Sequence, residues 1–324
     1  MRLIHSGGRE HGRPALRRPS PRPWTNLALL GVLVICAVAA DCDSGSSSSN
    51  AKTLMLEPQN TSLLVGVNRI SLALLDDKRR PVPAAKATLD VVGSSGAFET
   101  RPLENIGPEY GGIPIYVTHA NLPQQGNYQF VVHATLKDGS PAQGQAYVTV
   151  VKQGKEVPVG AKAPDLAACG AERPAKNCQP VLSTPGATLA ILDSGSPPDS
   201  WHDATLADGM AQHKPMVLFF GEPGFCKSQT CGPTVQILEQ LSKTYGNRML
   251  FEHIEDHFPA APDETGVDNP AFDAFGLSTE PWVYMVNSEG IVSDRFEGPV
   301  TLRELQQSAD GTLAGKVPAV DVKL

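Results

Sequence analysis

Across residues 52–155 apolar side chains recur at every second position. Ile70, Leu72 and Leu74 alternate with polar or small neighbours, and the same rhythm runs through 88–91, 115–117, 128–132 and 147–150. Asp76-Asp77-Lys78, Gly93-Ser94-Ser95-Gly96, Gly126-Asn127 and Asp138-Gly139 supply turn chemistry between these segments. Side chains along a strand point alternately to opposite faces, so the pattern predicts about seven short strands, each with one buried face, in an antiparallel sandwich. The rhythm then stops. Pro164, Pro174, Pro180, Pro185, Pro197 and Pro198 break up the next stretch, so 156–202 is read as a proline-rich linker without long regular elements. A third pattern covers 203–316. Asp203 is expected to cap a short helix over 204–212, and Pro215 leads into the wholly apolar run Met216–Phe220, whose length fits a central strand. After a loop, Val235, Leu238 and Leu241 mark one face of an amphipathic helix over 234–245 that stops at Gly246. Residues 317–324 form a tail.

The loop between that strand and that helix carries Cys226 and Cys231. A helix start presents unpaired N–H groups and partial positive charge, which favour a thiolate over a thiol. Strand, cysteine loop and helix N-terminus in this order are therefore an arrangement for activating sulfur.

Further elements extend the pattern: a strand over 248–255, a helix opened by Asn269-Pro270 with Phe272, Phe275 and Gly276, then Thr279-Glu280-Pro281-Trp282 before another strand. A hairpin turn at Asn287-Ser288-Glu289-Gly290, a last strand at Phe296-Glu297 and a closing helix over 301–309 complete it. Over 203–315 the chain resembles the thioredoxin superfamily. The resemblance implies an α/β thioredoxin-like fold, a cis-proline at Pro281 facing the cysteines, and thiol–disulfide exchange through Cys226 and Cys231 without a cofactor. Glu280, beside Pro281, would face the incoming protein thiol or disulfide. Two features depart from the family pattern. Four residues separate the cysteines where two are usual, an offset of about 7.5 Å along a regular helix. That exceeds the usual disulfide Cα separation of about 4.4–6.8 Å, so pairing requires part of 226–231 to be turn or loop. Leu218 occupies the strand position where many members carry a buried acid. Which sulfur attacks first is left open, because Cys231-Gly232-Pro233 can itself be superposed on the family's first cysteine.

Charge and composition narrow the picture. The chain has 324 residues, enough for two domains, and a formal charge of −7. Six arginines against Glu10 and Asp41 give residues 1–41 a net +4, which leaves −11 on the rest and argues against nucleic acid as a partner. Arginines, then the apolar run 27–40, then small and polar residues form a secretory-leader layout, with a run short for a membrane span. Cys42, between that run and the serine-rich tether 42–51, resembles a bacterial lipobox cysteine and is the candidate lipidation site, although Asp41 precedes it. An uncleaved anchor is the alternative. Either way the body is expected outside the cytoplasmic membrane, anchored to it, with protein thiols and disulfides of the cell envelope as partners.

Cys36 falls in the leader, and Cys169 with Cys178 is expected to staple the linker as a structural disulfide. The sandwich bears a loose similarity to immunoglobulin-like surface modules, and its His119 and His133 are read as strand-surface residues. The whole is thus expected to be multidomain: an all-β immunoglobulin-like sandwich followed by the α/β domain. Two other readings of the second cysteine pair stay open. It can be a permanent staple in a non-catalytic surface assembly protein. Alternatively it can offer two thiolates to copper, with His253 or His257, in or just after the strand over 248–255, although two exposed histidines beside Glu252, Glu255 and Asp256 read more simply as a solvated loop.

Overall fold

The computed structural model describes residues 51–93, 96, 98–169, 178–258, 260 and 267–324. The leader, Cys36, Cys42 and the tether up to residue 50 lie outside the described residues. Alternation becomes strand where it was expected, and the strands are longer than the alternating cores. Strands β1 (Lys52–Pro58), β2 (Leu63–Leu64), β3 (Gly66–Leu75), β4 (Ala84–Gly93), β5 (Phe98–Pro102), β6 (Glu104–Asn105), β7 (Tyr116–Leu122), β8 (Gly126–Leu136) and β9 (Pro141–Val151) form one hydrogen-bonded ladder. Its order is β5-β4-β8-β9-β1-β3-β7-β6, with β2 added to β9. In β8 the alternate residues Tyr128, Phe130, Val132, Ala134 and Leu136 are buried, and they share one core with Leu72 of β3 and Leu89 of β4.

The expected sandwich was wholly antiparallel, and this needs correction. β1 runs antiparallel to β3 but parallel to β9, and β2 is also parallel to β9. Alternation specifies which face a side chain occupies and carries no information on the direction of the neighbouring strand. His119 and His133 sit on β7 and β8, which are not paired with each other, and His133 bonds Asp90 at its exposed edge.

The C-terminal part is built on a four-stranded sheet of order β13-β12-β16-β17. Two short strands, β10 (Ala167–Ala168) and β11 (Cys178–Gln179), and two short helices, α1 (Leu189–Leu192) and α2 (Leu206–Ala211), precede it. Then come β12 (Met216–Phe220), α3 (Cys231–Tyr245), β13 (Leu250–Ile254), β14 (His257–Phe258), β15 (Val267–Asp268), α4 (Pro270–Phe275), β16 (Trp282–Val286), β17 (Val292–Glu297) and α5 (Leu302–Leu313). β12 is central, parallel to β13 and antiparallel to β16, which explains its unbroken apolar sequence. Val217 and Phe219 pack with Leu238, Leu241 and Leu305 of α3 and α5, while Leu218 and Phe220 pack with Phe272 and Phe275 of α4 on the other face. The cap of α2 is Thr205, which forms a capping box with Asp208, and not the expected Asp203. A hydroxyl reaching the N3 amide with a carboxylate reaching back satisfies two free amides at once.

The described residues of 156–202, read as a linker, lie against this sheet. Gly160 N–H donates to Val292 O and Ala163 N–H to Gly290 O, while Leu166, Val181 and Leu192 are buried. Prolines make a segment irregular without keeping it in solvent. Ser49–Leu324 accordingly forms one compact unit. A 3-10 turn at Gly107–Tyr110 carries Tyr110 from the β-rich half into the α3–α5 core. There its hydroxyl donates to Val300 O at 2.8 Å, accepts from Val300 N–H at 2.7 Å and lies 3.2 Å from Thr234 Oγ1. Burial pushes this phenol up to about 12, against the lowering effect of those bonds. Tyr110→Phe leaves the Val300 amide and carbonyl unpaired, so it is expected to cost about 1–3 kcal/mol in urea denaturation. A change indistinguishable from zero would mean that the hydroxyl bonds nothing in solution. Among the described residues no helix is long and apolar enough to cross a membrane.

Candidate functional site

The cysteine loop leaves the end of β12 at Gly221. A Cβ there would meet the Phe219 ring at 2.8 Å and Cys231 Sγ at 3.1 Å, so only glycine lets the chain pass this close to the sulfur. The loop then folds on its own backbone. Cys226 N–H donates to Glu222 O at 2.8 Å, and Gln229, with φ of 59°, donates to Cys226 O at 3.1 Å. This turn supplies the shortening that the four-residue spacing demands: the Cα atoms of Cys226 and Cys231 are 6.0 Å apart and the two are disulfide-bonded. Cys231 is the first residue of α3 and has no exposed surface, whereas Cys226 is 9 % exposed and its Sγ lies 3.0 Å from Ser228 Oγ. The two sulfurs therefore differ in access and in electrostatic setting.

Pro281 follows a cis Glu280–Pro281 bond and leads directly into β16, whose Trp282 pairs with Phe220 at the end of β12. That register brings Glu280 to the cysteines. One Glu280 carboxylate oxygen and the two sulfurs all lie within 4.8 Å of one another. Glu280 Oε2 also accepts from Glu222 N–H at 2.5 Å. Burial pushes Glu280 up to about 7, with the Glu222 N–H opposing and the charges of Asp256 and Glu222 reinforcing the shift. Leu218 supplies no acid, but an acid does stand next to the sulfurs, delivered from the opposite strand. Glu222 is itself buried and raised, first by burial and then by Asp256, and it accepts from His257 Nδ1 at 3.1 Å.

The histidines need a correction. They were read as exposed, in or just after the strand over 248–255; His253 does lie in that strand, but it is buried, and His257 is largely buried at the start of β14. His253 Nε2 lies 2.8 Å from Gly221 O and its Nδ1 2.9 Å from Asp199 Oδ2, while His257 faces Glu222 and Asp256. Strand alternation turns His253 inward between Phe219 and His202, which the local run of charged residues conceals. In the described structure the carboxylate of Glu280 is the ligand-type side chain grouped with the two sulfurs. Cys169 and Cys178 are also disulfide-bonded, with a Cα separation of 5.1 Å, and join β10 to β11.

Spacing did not reveal Glu222 as a partner of Glu280, because 58 residues separate them and only the β12–β16 register brings them together. Asp193, Asp199 and His202 were likewise unflagged, lying in a stretch whose prolines suggested an exposed connection.

No family model matches the chain, and no curated protein matches it in sequence. Among solved structures, immunoglobulin-like and PKD-like β-sandwich domains are similar to part of it. CopC from Methylosinus trichosporium OB3b is 13% identical, with 31% of this chain and 97% of that one covered and a TM-score of 0.24. The PKD1 domain of the metalloprotease PrtV from Vibrio cholerae is 13% identical, with 31% and 98% covered and a TM-score of 0.20. A DUF4426 family protein from Pseudomonas aeruginosa PAO1 is 17% identical, with 31% and 91% covered and a TM-score of 0.24. Likeness at this level says nothing about chemistry.

Proposed function

We propose that the chain is a thiol–disulfide oxidoreductase of thioredoxin-like type, held outside the cytoplasmic membrane by its N-terminal segment and exchanging disulfides through Cys226 and Cys231. The observation that carries this reading is the grouping of the less buried Cys226 sulfur, a sulfur at a helix start and a carboxyl pushed up to about 7, all within 4.8 Å. The order of strands and helices around β12 supports the family assignment. The basic leader with its short apolar run supports the location.

In the oxidised protein a substrate thiolate attacks Cys226, the less buried of the two cysteines. A bond forms between substrate and Cys226, the Cys226–Cys231 bond breaks, and Cys231 leaves as thiolate. The free N–H groups at the start of α3 stabilise that charge, and a stabilised leaving thiolate departs faster. A second substrate thiolate then releases the substrate disulfide from Cys226, leaving both protein cysteines reduced. The same steps run backwards reduce a substrate disulfide. Glu280 holds or donates the proton that each sulfur takes up or gives away, and a pKa near ambient pH suits that task.

The test is titration of the thiols in glutathione redox buffers, with mass spectrometry to assign each pair. Cys226–Cys231 is expected to open under mild reductant while Cys169–Cys178 persists. The buried position of Cys231 favours the competing reading of a permanent staple, and failure of the Cys226–Cys231 pair to open would decide for it. A second expectation concerns Glu280→Gln. Its base form accumulates as pH rises through about 7, so the wild-type exchange rate should show an inflection there. The amide variant should lose about 100-fold in rate and show no such inflection. An unchanged profile would remove Glu280 from the chemistry.

A further inference from the structure

A second group of ligand-type side chains stands behind the cysteine loop. It comprises Asp193 at the end of α1, Asp199 and His202 in the following loop, and His253 on β13. One ligand atom from each lies within 4.8 Å of the others, and none of the four side chains is more than 4 % exposed. The protonation of His253 can be read from its surroundings. Its Nε2 lies 2.8 Å from Gly221 O, and a carbonyl only accepts, so Nε2 carries a proton. Nδ1 faces only carboxylates, which accept as well, so without an ion this nitrogen is protonated too, and a metal would displace that proton. Nδ1 lies 2.9 Å from Asp199 Oδ2 and 3.7 Å from Asp193 Oδ2. His202 Nε2 points into the same space, 3.1 Å from Asp193 Oδ2 and 3.3 Å from Asp199 Oδ1. Two carboxylates and two imidazoles converging on one buried point need positive charge between them, supplied either by ring protons or by a metal ion that displaces them.

The carboxylates are also aimed before any ion arrives. Asp193 accepts from Gly195 N–H at 2.6 Å and Asp199 N–H at 2.7 Å, and Asp199 accepts from Trp201 N–H at 2.8 Å. Together with the Gly221 carbonyl on His253, these are the outer contacts that orient metal ligands. The spacing fits too. A tetrahedral site with bonds of about 2.0–2.1 Å has ligand atoms about 3.3–3.4 Å apart, inside the 2.9–3.7 Å spread of the histidine–carboxylate distances here.

We propose that Asp193, Asp199, His202 and His253 form a closed four-ligand site for a divalent transition-metal ion of the zinc class, distinct from the cysteine pair. Two carboxylates balance the dication, and two imidazole nitrogens with two carboxylate oxygens suit zinc better than the soft cuprous ion. Four protein ligands leave no open position, so the ion is structural. It ties the 193–202 loop to β13, and through the Gly221 carbonyl it steadies the point where the cysteine loop begins.

The experiment uses the full chain with its disulfides oxidised, stripped with chelator and then titrated with Zn(II). It is repeated on Cys226→Ser/Cys231→Ser, on His202→Gln and on Asp199→Asn, with circular dichroism as the check on folding. The expected result is about one Zn(II) per chain in wild type and in the double serine variant. His202→Gln and Asp199→Asn should weaken affinity by about 100-fold or more. Zinc at 100 times its Kd should raise the thermal midpoint by several degrees. Should the ligand variants fail to fold, Co(II) absorption of the double serine variant decides: intense d–d bands without sulfur charge transfer support the site. Folded wild type that binds no zinc or cobalt, or binding that is lost with the cysteines, overturns it. Because the Cys226–Cys231 pair is either oxidised or replaced by serine in every arm, these outcomes are independent of whether Cys226 and Cys231 exchange.

Discussion

With Cys231 replaced by serine, the reduced protein is expected to accumulate a covalent adduct with its partner. Cys226, the less buried of the two, can still attack a partner disulfide, expelling one partner sulfur as thiolate and bonding to the other. The Cys231 thiolate that would release the adduct is gone. Cys226→Ser should give no adduct, since Cys231 has no exposed surface from which to begin. Both variants should lose turnover by on the order of 10³-fold or more, because attack and release act as a unit. Insulin reduction measures the loss, and non-reducing electrophoresis with mass spectrometry identifies the adduct. An adduct trapped by Cys226→Ser and not by Cys231→Ser would reverse the roles of the two sulfurs. Adducts from neither would leave the pair a staple.

The second large effect concerns the contact between the β-rich half and α5. Arg69 of β3 donates from Nε to Glu304 Oε1 at 2.7 Å, and from a second nitrogen to Glu304 Oε2 at 3.1 Å and Pro299 O at 2.7 Å. The two side chains are only 9 % and 13 % exposed. Glu304 also closes the capping box of α5 with Thr301. Burial alone would raise the Glu304 carboxyl, but the charge and hydrogen bonds of Arg69, with those of Thr301, outweigh it and hold the group at about 2. Arg69→Met strands that carboxylate without its cation and should cost about 3–5 kcal/mol in guanidinium denaturation. The double variant Arg69→Met/Glu304→Leu should recover a large part of the loss, since an apolar pair leaves no buried charge. A loss below about 1 kcal/mol in the single variant would mean that solvent screens the pair. The pH sign follows from the lowered value. Glu304 contributes stability that is present above its unfolded pKa of about 4.3 and is lost as pH falls toward about 2.

Much of this was legible before the structure. The period-two residues of β8 and β4 announced their buried faces, and Met216–Phe220 announced a central strand by having no polar side at all. Once the resemblance implied that Cys226 and Cys231 pair, helix geometry required a loop between them. Other features were hidden for identifiable reasons. Glu222, Asp256 and His257 look like solvated loop residues one by one, and become a partly buried group only when β14 folds against the cysteine loop. His202 lies among prolines and serines that suggest exposure, yet it is held by Asp193 and Asp199. Arg69 reads as an ordinary outward-facing strand residue until α5 covers it.

The order of residues along the chain determined the local elements, the faces they bury and the position of two sulfurs at a helix start, because these depend on neighbours within a turn or a strand. What surrounds the sulfurs was decided by the tertiary structure. Glu280 arrives across the β12–β16 pairing, His253 is turned inward by strand alternation, and Asp193 with Asp199 is carried under the sheet by an irregular segment. Proton affinity and ligand geometry depend on burial and on charges a few ångströms away through space. Residues that distant in sequence meet only when the whole chain has packed.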